Sequence, residues 1–296
     1  MAKPSAGVQL QLIVILWGFT AILGRLISIS AIPLVWYRVV IVTVVLLVYL
    51  PLRGMSLRVP KQSALRYAGI GALIGIHWSC FYLSVKLAGV ATGVLTLSTG
   101  AFFTALFEPV IFKRRVRIAE LVIGVVVIVG VALLLQLEVK PSIGGFVAGI
   151  LASLFSSIFG VYNGKFAPHE EPERLVLYEL GAAAITVSLA FIFIPQQFVA
   201  PWQLSAADFG WLVALAVGCT IVAQVWVVHL LQQSISPFMV AVATNLEPVY
   251  ALLMAAVLFP GEEPLRPRFY IGAGLIFALV IITSARRARG TLGPRA

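Results

Sequence analysis

Apolar stretches of about twenty residues recur along almost the whole chain, and they limit what it can fold into. An α-helix rises 1.5 Å per residue, so roughly 20 apolar residues cross a hydrocarbon core about 30 Å thick. Ten such stretches can be marked, at residues 8–27, 32–52, 66–87, 89–112, 118–137, 143–163, 174–194, 208–229, 235–259 and 267–285. The third and fourth are nearly continuous, as are the eighth and ninth. Turn-prone residues separate them, Ala88-Gly89 in the first case and Ser234–Pro237 in the second. The chain is 61% hydrophobic and 11% charged, whereas soluble domains carry roughly 45–50% apolar and about 25% charged residues. The expected fold is an all-α membrane protein of ten transmembrane helices. Lys3, the apolar run behind it and Ser28-Ile29-Ser30 faintly resemble a cleaved leader, but Arg25 interrupts the pattern and the first helix is expected to be retained.

The net charge of +10 has two readings, a nucleic-acid partner or a membrane orientation signal. Its distribution favours the second. With the N-terminus inside, the inner segments carry fifteen basic residues: Lys3, Arg53, Arg58, Lys61, Arg66, Lys113, Arg114, Arg115, Arg117, Lys165, Arg174, Arg286, Arg287, Arg289 and Arg295. The outer segments carry five, Arg25, Lys86, Lys140, Arg266 and Arg268, and Arg38 lies within a helix. Such asymmetry predicts both termini in the cytoplasm, an even number of spans and no nucleic-acid partner. The two cysteines, Cys80 and Cys219, lie in apolar runs and form neither a disulfide framework nor a metal site.

The chain also resembles itself. Leu34-Val35-Trp36-Tyr37-Arg38 in the second span matches Leu175-Val176-Leu177-Tyr178-Glu179 in the seventh. The run from Gly124 to Leu133 matches that from Gly272 to Leu279, and Leu87–Ala91 falls where Gln232–Ser236 falls later. The offsets drift from 141 to 148, which short loop changes explain. Two five-helix repeats follow, residues 1–139 and 140–296. Five is odd, so the repeats are inverted in the membrane, a layout that places a substrate site near the midplane between the halves. Glu108-Pro109 and Glu247-Pro248 look alike, but the flanking matches pair Glu247-Pro248 with Phe102-Phe103, leaving Glu108 near the cytoplasmic surface and Glu247 near mid-membrane.

Trp17-Gly18, Tyr37-Arg38 and Asn245-Leu246-Glu247-Pro248-Val249, in this order across a five-plus-five layout, resemble the drug/metabolite transporter superfamily, specifically its ten-helix EamA-type branch. The short first loop and His77-Trp78 are similar to an amino-acid exporter of that branch. The resemblance implies export of small metabolites, amino acids first among them, across a bacterial-type cytoplasmic (inner) membrane. Many relatives have a proline where this chain has Phe102-Phe103, so a break there symmetric with the one at Pro248 in the ninth helix is not expected.

Polar side chains in hydrocarbon need a partner or a cavity, which makes each one a candidate. Glu247 would bind a substrate ammonium or carry a proton, or else plug a backbone kinked by Pro248, with Asn245 bonding the freed groups. His77 and Trp78 in the third span, with Tyr82 one turn beyond Trp78, would line a cavity together with Trp17; His77 would bind substrate or titrate, or simply pack. Ser98, Thr99, Phe102, Tyr162 and Asn163 are further cavity candidates, although hydroxyls in membranes more often bond within or between helices. Arg38, Tyr178, Glu179 and Pro248 are expected to gate or to support structure; if Arg38 faces a cavity it can hold a substrate carboxylate. Gly71-x-x-x-Gly75 and Gly145-x-x-x-Gly149 would let helices approach closely.

No catalytic pattern is present. Gly160-x-x-x-Gly164-Lys165 lacks the spacing and hydroxyl of a phosphate loop, and His169-Glu170-Glu171 lacks a second histidine four residues on. With no nucleotide site, metal or cofactor expected, transport would be secondary, with amino acids as cargo, the lipid bilayer as environment and protons as a candidate coupling ion. Helices one, three, four, six, eight and nine would line the central cavity, and its aromatic wall would suit large apolar or aromatic side chains. The alternatives are an exporter of drug-like cations or other metabolites and, further off, a non-transporting membrane receptor.

Overall fold

A computed structural model of the chain describes residues 5–134, 142–233, 235–259 and 267–288, and all regular structure among them is helical. The helices are α1 (Ala6–Leu26), α2 (Ala31–Leu52), α3 (Lys61–Leu97), α4 (Gly100–Ile111), α5 (Ile118–Leu134), α6 (Ile143–Phe166) and α7 (Pro172–Phe193). Next comes one long rod made of α8 (Ala206–Val213), a π-helical stretch (Ala214–Ile221) and α9 (Val222–Gln232). Then follow α10 (Pro237–Thr244), α11 (Glu247–Leu258) and α12 (Pro267–Ala288). Eight stretches are long and apolar enough to cross a membrane, and Ile118–Leu133 and Tyr270–Thr283 are shorter apolar helices. Together they give the ten helices expected, although residues 135–137, the end of the fifth span, lie outside the described part.

Between the third and fourth spans helical residues follow one another with no intervening loop, over 37 residues from Lys61 to Leu97. A straight helix of that length would hold Ser84 and Thr96 about 18 Å apart. Yet a Cβ on Gly149 would meet both, Thr96 Oγ1 at 1.9 Å and Ser84 Oγ at 2.7 Å, and a Cβ on Gly93 would meet Val85 at 2.7 Å. The chain therefore folds back between Val85 and Thr92, around the expected Ala88-Gly89 position, giving two spans, Lys61–Val85 and Thr92–Ile111. The eighth and ninth spans part between Gln232 and Pro237, as the sequence suggests.

The two halves pair by symmetry. α2 packs on α7 and α5 on α12, each helix against its own counterpart. α1 packs on α11, the second half of the ninth span, and its counterpart α6 packs on α4, the second half of the fourth. Single atoms repeat the relation: Tyr37 Oη donates to the Val199 carbonyl at 2.7 Å, and its counterpart Tyr178 Oη donates to the Leu57 carbonyl at 2.9 Å. Each tyrosine ties the second helix of its half to the loop entering the third helix of the other half's face.

The fourth span breaks at Ser98-Thr99 and the ninth at Asn245-Leu246, so the break is symmetric although only the second has a proline. Hydroxyls replace the proline in the first. Ser98 donates to the Leu95 carbonyl and Thr99 to that of Thr96, while Ser153 and Ser157 on α6 donate to the carbonyls of Leu97 and Gly100. Carbonyls opened by the break are thus satisfied inside the protein, as hydrocarbon requires. In the ninth span Asn245 Nδ2 donates to the Ala241 carbonyl at 2.7 Å.

Two apolar cores flank the centre. One joins α1, α4, α5 and α9 to α12 through residues such as Ile13, Val127, Leu230, Leu246 and Ile276; the other joins α2, α3 and α7 through Val35, Ile74, Leu175 and Leu180. The outward faces are apolar too, with Ile143 and Phe193 more than 80% exposed, as lipid contact demands.

α3 crosses α7 at Gly71, where an added Cβ would stand 1.9 Å from the Glu179 carbonyl oxygen. Gly71→Ala must move α7 and should cost about 1–3 kcal/mol, whereas Gly69, with nothing within 4 Å, should tolerate alanine. Thermal unfolding in detergent checks this: the first variant melts clearly below the parent and the second does not.

Candidate functional site

A cluster of polar and aromatic side chains forms where α1, α2, α3, the π-helical stretch and α11 meet. Arg38, on α2, is 5% exposed. Its Nε donates to Thr220 Oγ1 at 2.7 Å, its guanidinium lies over the Trp78 ring at 4.1 Å from the centroid, and Tyr82 on α3 stands within electrostatic reach of it. A guanidinium stacks well on an indole face and gains more there when water is excluded. The π-helical stretch explains the position of Thr220. Its wider turn frees a carbonyl, and Thr220 Oγ1 donates to the Leu215 carbonyl five residues back at 2.8 Å while accepting from Arg38.

Glu247 opens α11 immediately after the break. It is half-buried, it lies within electrostatic reach of Arg38 and Tyr82, and no ion pair within 4.0 Å joins it to Arg38 among the described residues. The α11 N-terminus is held close to α1 at Gly18, whose added Cβ would stand 3.1 Å from the Glu247 carbonyl. A cation, a carboxylate and two aromatic faces thus share one layer, but the charges do not neutralise each other by direct contact.

The remaining expected site residues divide among other environments. His77 is 7% exposed, with Nδ1 2.7 Å from the Ala152 carbonyl on α6 and its ring beside Phe159, so it packs on α6 while lying within electrostatic reach of Arg38. Trp17 lies half-buried against the core around Leu246. Ser98 and Thr99 serve the break in the fourth span, with Thr99 Oγ1 also 2.8 Å from Ser153 Oγ. Phe102 packs its backbone on Gly124 and its ring edge-on to Phe103. Tyr162 stacks on Phe166, Asn163 donates to Glu179 at 3.3 Å, and Asn245 and Pro248 flank the ninth-span break. Arg38 and Glu179, matched in sequence, do not meet, because the two-fold relation sends them toward opposite faces.

Three features were not anticipated. Thr220 and its π-helical stretch complete the Arg38 environment. Asp208, at the start of α8, accepts from the Ser28 backbone N–H at 2.7 Å, from Ser28 Oγ at 2.8 Å and from Ser205 Oγ at 2.7 Å, clasping the first loop to α8. On the face that carries the N-terminus, Gln9 accepts from Trp226 Nε1 and Gln11 from Tyr250 Oη, joining α1 to α9 and α11. Thr220 was within reach of the rule that intramembrane polar residues are candidates; the clasps and the π-helix have no sequence signature. On the same face Arg114 bridges Glu108 at 3.1 Å and Glu120 at 2.7 Å, and Glu108 also accepts from the Phe238 N–H at the start of α10. Burial disfavours the charged guanidinium there, but the two carboxylates outweigh it and hold the Arg114 pKa above its ordinary value.

A model of the EamA-like transporter family matches the chain twice, over residues 6–136 and 143–285. The chain belongs to the EamA-like transporter family. The two matches mean that each half is one copy of the EamA unit. An uncharacterized transporter of Helicobacter pylori strain J99 is 21% identical over 164 residues, and one of strain 26695 is 22% identical over 165. Each alignment takes in 54% of this chain, and the chain spans about half (55%) of the length of these curated relatives. A protein of known crystal structure shares the fold, with a TM-score of 0.76 at 20% identity over 96% of this chain and 99% of that one. The Arg38 layer thus lies within a chain of the EamA-like transporter family.

Removing the Thr220 hydroxyl leaves a buried guanidinium and a freed carbonyl without it. Thr220→Val should cost about 1.5–3 kcal/mol, the range for a hydrogen bond to a charged group, while Thr220→Ser should stay near the parent. Melting curves in detergent check the difference.

Proposed function

We propose that this chain is a secondary transporter that exports amino acids, large apolar or aromatic ones foremost, and related small metabolites, by alternating access of the two halves to a central cavity. One observation carries the reading: Arg38 and Glu247 share one layer without pairing, beside Trp78 and Tyr82. A zwitterion complements that arrangement. Arg38 takes the substrate carboxylate, as a guanidinium suits planar anions, Glu247 takes the ammonium, and the aromatic faces take the side chain. His77 supports α6 and is not required for contact with the substrate. A phosphorylated cargo would need several deep basic residues, and Arg38 is the one deep basic residue the sequence offers. A drug-like organic cation would suit Glu247 and the rings but not a cation at Arg38.

Transport itself follows the inverted-repeat logic, in which the halves rock around a fixed midplane site. The clasps at Asp208 on one face and at Gln9 and Gln11 on the other are the contacts that such rocking would break in turn. The uneven distribution of basic residues supports cytoplasmic termini, in a membrane of the bacterial cytoplasmic type.

Counterflow in proteoliposomes tests this reading. Vesicles preloaded with unlabelled amino acids should accumulate labelled phenylalanine or leucine, and Arg38→Met and Glu247→Gln should each lower uptake at least tenfold, the loss of about 1.4 kcal/mol or more of binding. No uptake of any amino acid by folded protein, or full uptake by both variants, contradicts it.

A further inference from the structure

Hydrogen-bond accounting separates Glu179 from the other buried acids. Glu108 accepts from Arg114 and from the Phe238 N–H; Glu120 accepts from Arg114; Asp208 accepts from two serine hydroxyls and a backbone N–H. Glu179 is 2% exposed and receives a single donor, Asn163 Nδ2, to Oε2 at 3.3 Å. Its Oε1 has no partner, and neither does Asn163 Oδ1 beside it. Two buried acceptor oxygens next to each other lack a donor, and among the described residues no basic side chain makes an ion pair with Glu179. An ionised carboxylate left this way in a membrane interior is among the costliest arrangements a protein can hold.

A protonated carboxyl resolves the count, because it replaces one acceptor by an O–H donor and removes the charge. Exchanging the Asn163 amide O and N does not resolve it, since the amide oxygen would then face Glu179 Oε2 and both of those oxygens would lack a donor. Two free oxygens are too few for a hard metal ion, which takes six or more oxygen ligands.

The surroundings keep this group apart from the substrate layer. Glu179 lies seven residues after Pro172, about 10 Å along α7 from the face that carries the N-terminus. α3 brings Tyr67 toward it, with Tyr67 Oη 3.5 Å from Glu170 Oε2. The neighbouring Tyr178 bonds the Leu57 carbonyl, and the Glu170–Arg174 pair closes the start of the helix. α9 offers His229, which lines a groove with Glu171 and Glu173 and without Glu179. Arg38, the charged residue of α2, bonds elsewhere.

We propose that Glu179, with Asn163, is a proton-coupling site: it holds a proton in the conformation seen here and releases it to water when α7 shifts, leaving the carboxylate. This deepens the transport reading above and rests on it for coupling, but the protonation itself does not. The site is the second-half counterpart of Arg38, so one half offers a fixed charge for substrate and the other a titratable group for the driving ion.

Two measurements decide it. Infrared difference spectra of the full-length protein in detergent at neutral pH, wild type against Glu179→Gln, should show one protonated-carboxyl band that shifts in heavy water and vanishes in the variant. Absence of the band overturns the proposal whether or not transport is found. In proteoliposomes carrying a trapped pH dye, an imposed pH gradient should raise wild-type amino-acid accumulation at least tenfold over counterflow, with accompanying proton movement. Glu179→Gln should keep counterflow within about twofold and lose the gradient response. A variant that still responds to the pH gradient, or a wild type that exchanges amino acids without moving protons or that responds to sodium instead, contradicts it. If wild type shows no counterflow, the transport reading fails and the infrared band alone decides protonation at Glu179.

Discussion

A guanidinium buried within a membrane-spanning helix has to be surrounded by partners that replace its water, and the helices around Arg38 are arranged to do so. Trp78 lies under its plane, Thr220 accepts from Nε, and Tyr82 stands nearby. Each of these demands something of the backbone. Thr220 is presented by a π-helical stretch, and Trp78 and Tyr82 stand at i and i+4 on one face of α3. The apolar cores on either side hold these elements but do not specify the layer between them; the buried charge does.

The inverted repeat gives the protein two versions of each local solution, and the differences between versions are where function concentrates. Both fourth and ninth spans break, one with hydroxyls from α6 and its own Ser98 and Thr99, the other with Asn245 and Pro248. Both second helices carry a tyrosine bonded to a carbonyl in a loop of the other half. Immediately after that tyrosine the halves diverge, Arg38 in one and Glu179 in the other. A symmetric scaffold with an asymmetric charge pair suits a device that must bind at the centre while exchanging its two faces.

Much of this was legible in the sequence, for physical reasons that also mark the limit. The ten spans follow from run length, and the pairing of Tyr37 with Tyr178 follows from local self-similarity, since both signals lie along the chain. The membrane penalty on polar groups brings Arg38, Trp78, Tyr82 and Glu247 forward as candidates, and the structure gathers these four. His77, within reach of Arg38, spends Nδ1 on the Ala152 carbonyl, because the same residue type that lines a cavity also satisfies a neighbouring backbone, and periodicity does not distinguish the two. The break at Ser98-Thr99 escaped because its cause is not a proline in the fourth span but serines on α6, and contacts between distant residues leave no local mark. The same is true of the Asp208 clasp, whose partners lie 180 residues apart.

The central claim is that the Arg38–Glu247 layer opens to water between the two halves and not to lipid. Accessibility at Glu247→Cys measures it directly. In a background with Cys80 and Cys219 replaced by serine, a membrane-impermeant maleimide should label position 247 from either side of sealed, oriented vesicles, and substrate should slow that labelling. Protection from impermeant reagent on both sides, with labelling only by a lipid-soluble maleimide, would place the carboxylate on the lipid face and contradict the account.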